Sequence, residues 1–271
     1  MTIAHIIILL VTGIGVGFFG GLLGLGGGVI MVPVQYIIYT AMGIPTDIAM
    51  KLAFGTSLLV ILPTAISGAW RHSKKGAVWW KAAFIMGSCG VIAAFGGATL
   101  ATHLPGATLK IVFGAAVLAS GIRMLTTRPP RIELEPKDNP WLWVAWAIPI
   151  GLITGILGIG GGMLAVPILV LALKFKMHNA VATSLAVMVF SSIGGVIGYI
   201  INGLSVPNLP AYSIGYVNLP AWFLLAITSV GAAQIGAITA HKLPAKQLRY
   251  IFIAVMFYMG LRMLGVFDWL G

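Results

Sequence analysis

The sequence predicts an all-α, polytopic membrane protein built from two related halves, and three observations lead there. Of its 271 residues 59% are hydrophobic and only 8% charged. Apolar stretches of membrane-spanning length follow one another along the chain. A set of short motifs occurs twice, in the same order. A soluble domain would carry roughly a quarter charged residues, and so few charges cannot clothe a water-facing surface. They suffice for helix ends whose flanks are covered by lipid. The 36 glycines suit close helix packing and deliberate breaks within a bilayer.

The apolar stretches run over residues 3–39, 46–70, 79–101, 107–126, 141–173, 180–202, 219–240 and 246–267. Most match one span of about 20 residues. The first and fifth are too long for one straight span and contain a glycine cluster. Each is read as two helical pieces around a break, either a re-entrant hairpin or two short spans. Each repeat is then a Gly-broken first segment plus three helices, or 8–10 transmembrane elements in all. Residues 1–126 form the first repeat, 127–140 a cytoplasmic linker and 141–271 the second repeat. Met1–His5 lacks the positive region of a secretory signal, so the first stretch is expected to stay in the membrane.

Repetition is the strongest signal. Gly21-Leu22-Leu23-Gly24-Leu25-Gly26-Gly27-Gly28 is echoed by Gly155-Ile156-Leu157-Gly158-Ile159-Gly160-Gly161-Gly162, and Val32-Pro33 by Val166-Pro167 at the same offset. Thr56-Ser57-Leu58 matches Thr183-Ser184-Leu185, and Leu104-Pro105 matches Leu243-Pro244. Gly121-Ile122-Arg123-Met124-Leu125 matches Gly260-Leu261-Arg262-Met263-Leu264. Charge orients the copies. The loop with Arg71, Lys74, Lys75 and Lys81 has an uncharged counterpart near 203–219, whereas Lys174, Lys176, Lys242, Lys246 and Arg249 face charge-poor equivalents in the first half. Because basic loops stay cytoplasmic, the same loop is expected on opposite sides in the two halves. That requires inverted repeats of five helical elements each, with both termini outside the cytoplasm. Inverted repeats around a midplane site are a recurring plan of secondary transporters.

The net charge of +11 does not indicate nucleic-acid binding. Most of the basic residues lie between apolar segments, without a basic stripe and interleaved aromatics, and they suit cytoplasmic loops and anionic lipid. Cys89 alone forms neither an intrachain disulfide nor a cysteine metal cluster. Gly15-x-Gly17-x-x-Gly20 follows no strand, so it is not a dinucleotide fingerprint. No catalytic motif is found, and no cofactor, metal or enzymatic activity is expected. The tryptophans cluster at segment ends as an interfacial belt.

Glycine weakens a helix by about 1 kcal/mol per residue, so Gly24, Gly26, Gly27, Gly28 and Gly158, Gly160, Gly161, Gly162 are expected to serve backbone geometry. A helix restarting at Val29 or Met163 aims its first free N–H groups into a protein-lined cavity. Such a terminus attracts anions without a charged side chain, and two copies would meet at one central site. Gly17-x-x-x-Gly21 and Gly151-x-x-x-Gly155 are read as helix-packing motifs. The hydroxyls of Thr56, Ser57, Thr183 and Ser184 either donate to an anion or bond back to their own helix. Arg123 and Arg262 either snorkel to headgroups or gate and attract substrate. Gln35 and Gln234 are interhelical hydrogen-bonders or ligands. All five acids (Asp47, Glu133, Glu135, Asp138 and Asp268) lie in loops or at segment ends. No mid-membrane carboxylate is available for sodium or proton coupling, which favours an anion.

The paired Gly-x-x-Gly-x-Gly-Gly-Gly-x-x-x-Val-Pro segments at Gly21–Pro33 and Gly155–Pro167, followed by Gly55–Leu58 and Ala180–Leu185, resemble the TauE/SafE sulfite exporter family over essentially the whole chain. The resemblance implies inner-membrane transport, in a bacterium or archaeon, of sulfite, a sulfonate or a related sulfur oxyanion. Ala182 stands where the first element has Gly55, making the two half-sites chemically unequal. The expected mechanism is alternating access with export. The rivals are an anion channel and a membrane subunit delivering sulfur species to a partner protein.

Overall fold

A computed structural model describes residues 2–23, 26–126, 136–207, 209–239 and 245–267. Among them are ten α-helices: α1 (Ile3–Leu23), α2 (Gly28–Ala41), α3 (Thr46–Ser73), α4 (Trp80–Thr102), α5 (Gly106–Thr126), α6 (Pro140–Leu157), α7 (Gly162–Leu171), α8 (Met177–Gly203), α9 (Leu219–Thr239) and α10 (Ala245–Met263). Both long apolar segments are broken at their glycine clusters as expected. α2 and α7, with 14 and 10 residues, are too short to cross a hydrocarbon core of about 30 Å at 1.5 Å per residue. Seven of the other helices are long and apolar enough to cross. A two-stranded hairpin, β1 (Ser213–Ile214) with β2 (Val217–Asn218), lies between α8 and α9. The sequence showed only an uncharged loop there, because two-residue strands leave no periodicity to read.

Helix directions follow from which residues meet. A Cβ at Gly17 would collide with Ser229, and one at Gly21 with Ala233, so α1 and α9 run the same way. Gly151 packs on Gly90 and Gly155 on Ala94, so α6 runs with α4. These are equivalent contacts of the two copies, and they give Gly17, Gly21, Gly151 and Gly155 the packing role read from their spacing. α8 also runs with α4, through Gly87 on Phe190 and Gly194 on Val91. α3 runs with α9, through Thr64–Ser229 and Ser67–Gln234.

α3 and α8 cross in opposite directions. Leu58 fills the space over Gly195, and Leu185 fills the space over Gly68. The two contacts exchange equivalent residues of the copies. α5 and α10 are antiparallel too, with Gly114 against Gly260 and Gly121 against Phe257. Consequently α1, α3 and α9 point one way and α4, α6 and α8 the other.

The ends of the bundle differ in charge. Arg71, Lys74, Lys75, Lys81, Arg123, Lys137, Lys174 and Lys176 gather where α3 ends and α4 and α8 begin. Trp79–Phe175 ring contact, the Lys81–Asp138 pair and Lys137 N–H donating to the Leu173 carbonyl tie that end together. The opposite end holds Asp47, Lys51, Lys110 and Arg262. There Asp47 pairs with Lys51 at 2.8 Å and accepts the Gly106 N–H at the start of α5. Of the linker, residues 127–135 lie outside the described residues, as do Glu133, Glu135 and Asp268. The side chains of Lys246 and Arg249, and Lys242 altogether, are likewise outside them.

Candidate transport site at the two glycine breaks

Each short helix starts on a left-handed glycine. Gly27 caps α2 with φ 69° and Gly161 caps α7 with φ 80°, and Gly26 and Gly160 have φ 77° and 79°. Residues with a Cβ rarely adopt this conformation, which is the local reason for the paired glycines. The first hydrogen bonds of α2 run from the Ile30 and Met31 N–H groups to the Gly27 carbonyl, and those of α7 from Leu164 and Ala165 to Gly161. The N–H groups of Gly28, Val29, Gly162 and Met163 therefore precede the helical ladder. Pro33 and Pro167, four residues after Val29 and Met163, lack the N–H that would bond back to those carbonyls. Gly24 lies outside the described residues.

The two breaks meet. A Cβ on Gly28 would stand 2.7 Å from Ile159 Cα and 3.0 Å from the Gly158 carbonyl oxygen, and one on Gly26 would stand 2.9 Å from the Ile159 carbonyl. α3 and α8 supply the walls. Gly158 rests on Phe54, and Gly160 touches Ile61 and Met188, equivalent residues of the two copies; Met188 also covers Gly26. Tyr199 of α8 donates its hydroxyl to the Gly155 carbonyl at 3.0 Å, holding the end of α6. Beside the second break lies a cavity of about 10 Å³, lined by Ile153, Thr154, Ile159, Gly161, Met163 and Leu164. That is room for no more than about one water, so in this conformation the breaks are closed around each other.

Ser184 bonds back to its own helix, one of the alternatives read from the sequence, and the other three hydroxyls take partners that the sequence does not name. Thr56 Oγ1 accepts the Asn218 N–H at 2.9 Å, just ahead of α9, and Thr183 Oγ1 accepts the Trp79 N–H at 3.0 Å, just ahead of α4. Each threonine thus satisfies an N–H at the start of a helix from the other copy, a cross-half role that its position in sequence does not betray. Ser184 donates to the Val181 carbonyl at 2.8 Å. Ser57 Oγ instead accepts from Gln35 Nε2 at 2.8 Å, and Gln35 Oε1 accepts from the Tyr39 hydroxyl at 3.2 Å. All of these side chains are buried. Sequence reasoning missed Tyr39 and Asn218. The available signal was the comparison of copies, since Gln35 and Tyr39 align with Leu169 and Leu173.

Gln234 bridges α9 to α3, donating to Ser67 Oγ at 2.6 Å and to the Ser67 carbonyl. It is remote from Gln35 in role. Arg123 is exposed and Arg262 half-buried, at opposite ends of the antiparallel α5–α10 pair. The structure does not bring them together, nor onto the glycine breaks. Among the described residues no cluster of three or more His, Cys, Asp or Glu is placed to hold a metal.

Ten helices among the described residues, seven of them long and apolar enough to cross a bilayer, define a multi-pass membrane protein. Residues 9–263 match the family described as Sulfite exporter TauE/SafE, and the chain belongs to that family. It is 32% identical over 260 residues to a probable membrane transporter protein of Methanocaldococcus jannaschii, covering 95% of this chain and 94% of the relative. A probable membrane transporter protein of Haemophilus influenzae is 29% identical over 95% of this chain and 97% of its own length. One from Bacillus subtilis is also 29% identical, over 97% and 99%. No solved structure matches the chain. Its place is the membrane, and in bacteria the inner membrane.

Proposed function

We infer that the chain carries a small sulfur oxyanion, sulfite or an organosulfonate, outward across the membrane by alternating access around the two glycine breaks. The observation that carries this reading is the meeting of Gly26–Gly28 with Gly158–Ile159. It draws two helix starts with unladdered N–H groups together, and such groups favour negative charge. The opposite running of equivalent helices supports inverted repeats, and the basic end described above is then the cytoplasmic one.

Export needs no coupled cation. At a potential of 100 mV, negative inside, each negative charge leaving gains about 2.3 kcal/mol, or nearly a fiftyfold gradient for a monoanion. The closed packing around a cavity of about 10 Å³ favours a carrier with an occluded stage over an open anion channel. Delivery of sulfur species to a partner protein is the reading left if the pure protein moves no anion.

The test is uptake of radiolabelled sulfite by proteoliposomes of the pure protein, with and without a potassium-diffusion potential, and with sulfoacetate and thiosulfate as competitors. Saturable uptake that follows the potential is the expected result. Transport that survives both Gly27→Leu and Gly161→Leu with unchanged affinity removes the backbone site.

A further inference from the structure

The buried polar groups of the first copy form a chain with a direction. Its direction is fixed by the Gln35 amide, whose oxygen can only accept and whose nitrogen can only donate. The Tyr39 hydroxyl donates to Gln35 Oε1 at 3.2 Å. Gln35 Nε2 then donates to Ser57 Oγ at 2.8 Å. Every acceptor is filled by the preceding donor, and the series ends on the Ser57 O–H. Among the described residues that proton meets no acceptor, although Ser57 is fully buried. A buried, unused donor is costly in a protein interior.

Ser57 stands between Phe54 and Ile61 on α3, the residues on which Gly158 and Gly160 rest. At helical spacing the three lie on neighbouring positions of one face, so the unused donor borders the second glycine break. The equivalent position of the second copy offers no such group. Ser184 gives its proton to the Val181 carbonyl, and Leu169 and Leu173 replace the amide and the phenol.

We propose that Ser57 is the specificity-determining donor of the transport site, and that Gln35 and Tyr39 are positioning residues which keep its proton pointed at the substrate. The assignment rests on the anion reading above and narrows it. The site selects a ligand that presents a hydrogen-bond-accepting oxygen with negative charge, such as the SO3 group of sulfite or a sulfonate. It disfavours species that present a donor at that point. Chains of this kind polarise one another along their length, so the terminal O–H donates more strongly than an isolated serine.

The experiment measures KM and maximal rate for radiolabelled sulfite in proteoliposomes for the wild-type protein, Ser57→Ala, Ser57→Cys, Gln35→Leu and Ser184→Ala, and for the double variant of Ser57→Ala with Gln35→Leu. Thermal unfolding in detergent checks the fold of each. Ser57→Ala is expected to raise KM about ten- to a hundredfold, the range for losing a hydrogen bond to a charged group, with little change in maximal rate. Ser57→Cys, which keeps the volume but donates weakly, falls between. Gln35→Leu raises KM by less, and the double variant is no worse than Ser57→Ala, because Gln35 acts through Ser57. Ser184→Ala leaves KM unchanged. An unchanged KM in well-folded Ser57→Ala and Ser57→Cys overturns the assignment while leaving the anion carrier standing. Additive effects of the two single changes overturn the positioning role. A wild-type protein that moves no sulfite defeats the carrier reading and the donor assignment with it.

Discussion

The two Thr-Ser elements are copies in sequence and unequal in chemistry. Thr56 and Thr183 do the same thing, each accepting an N–H just ahead of a helix in the other half. The serines beside them diverge. Ser184 donates to the Val181 carbonyl of its own helix, whereas Ser57 belongs to a buried network with Gln35 and Tyr39. What is shared is the scaffold, and what differs is polarity at the centre. The lesson is that duplicated motifs can keep the same helix starts and crossings while a few side chains give one copy a buried polar network that the other lacks.

That comparison can be broken first at the breaks themselves. Gly28→Ala places a Cβ 2.7 Å from Ile159 Cα, backbone that cannot yield cheaply, so a loss of about 1–3 kcal/mol and of transport is expected. Thermal unfolding in detergent, paired with sulfite uptake, reads both. Retained activity and stability would show that the breaks separate freely.

Next in size is an exchange of residues between the copies. Gln35→Leu gives the first copy the residue of the second and leaves the Tyr39 hydroxyl without its acceptor. The expected cost is about 1–3 kcal/mol. The reciprocal Leu169→Gln buries an amide among apolar neighbours and is expected to destabilise by a similar amount. If Leu169→Gln is neutral, the second copy has polar partners ready and the inequality is shallower than the structure indicates.

The threonines sharpen the shared part. Thr56→Val and Thr183→Val each unpair one N–H, for about 1 kcal/mol, and the two losses should be alike. Hydrogen exchange should quicken at Asn218 in one variant and at Trp79 in the other. The smallest effect is expected for Lys81→Ala, whose partner Asp138 is at 2.8 Å with both side chains about half exposed. An exposed pair contributes below about 1 kcal/mol, and a shift in melting temperature beyond a degree or two would show it to be part of a larger network.

Much of the architecture was legible because it is written in periodicity and composition. The lengths of the apolar runs marked the long helices, and the glycine clusters marked the interruptions in the first and fifth segments. The Gly17, Gly21, Gly151 and Gly155 spacings marked close crossings. The site was legible only as a neighbourhood. Nothing local in Thr56-Ser57 or Thr183-Ser184 tells whether a hydroxyl faces a ligand, its own helix or another element, because that depends on residues 35 to 39, 79 and 218 brought near by folding. Tyr39 passed as one more aromatic on a short apolar helix. Its importance lies in a neighbour one turn earlier, the Gln35 amide oxygen that accepts its hydroxyl proton.

The crossing of α3 and α8, where Leu58 enters the space at Gly195 and Leu185 the space at Gly68, has a historical consequence. A surface that fits its own copy turned end for end can be built from a single short gene, provided its product enters the membrane in both directions. Fusing two such genes fixes one orientation for each half. From then on a substitution in one half is no longer imposed on the other, and an amide and a phenol can arise at Gln35 and Tyr39 while their counterparts stay leucine.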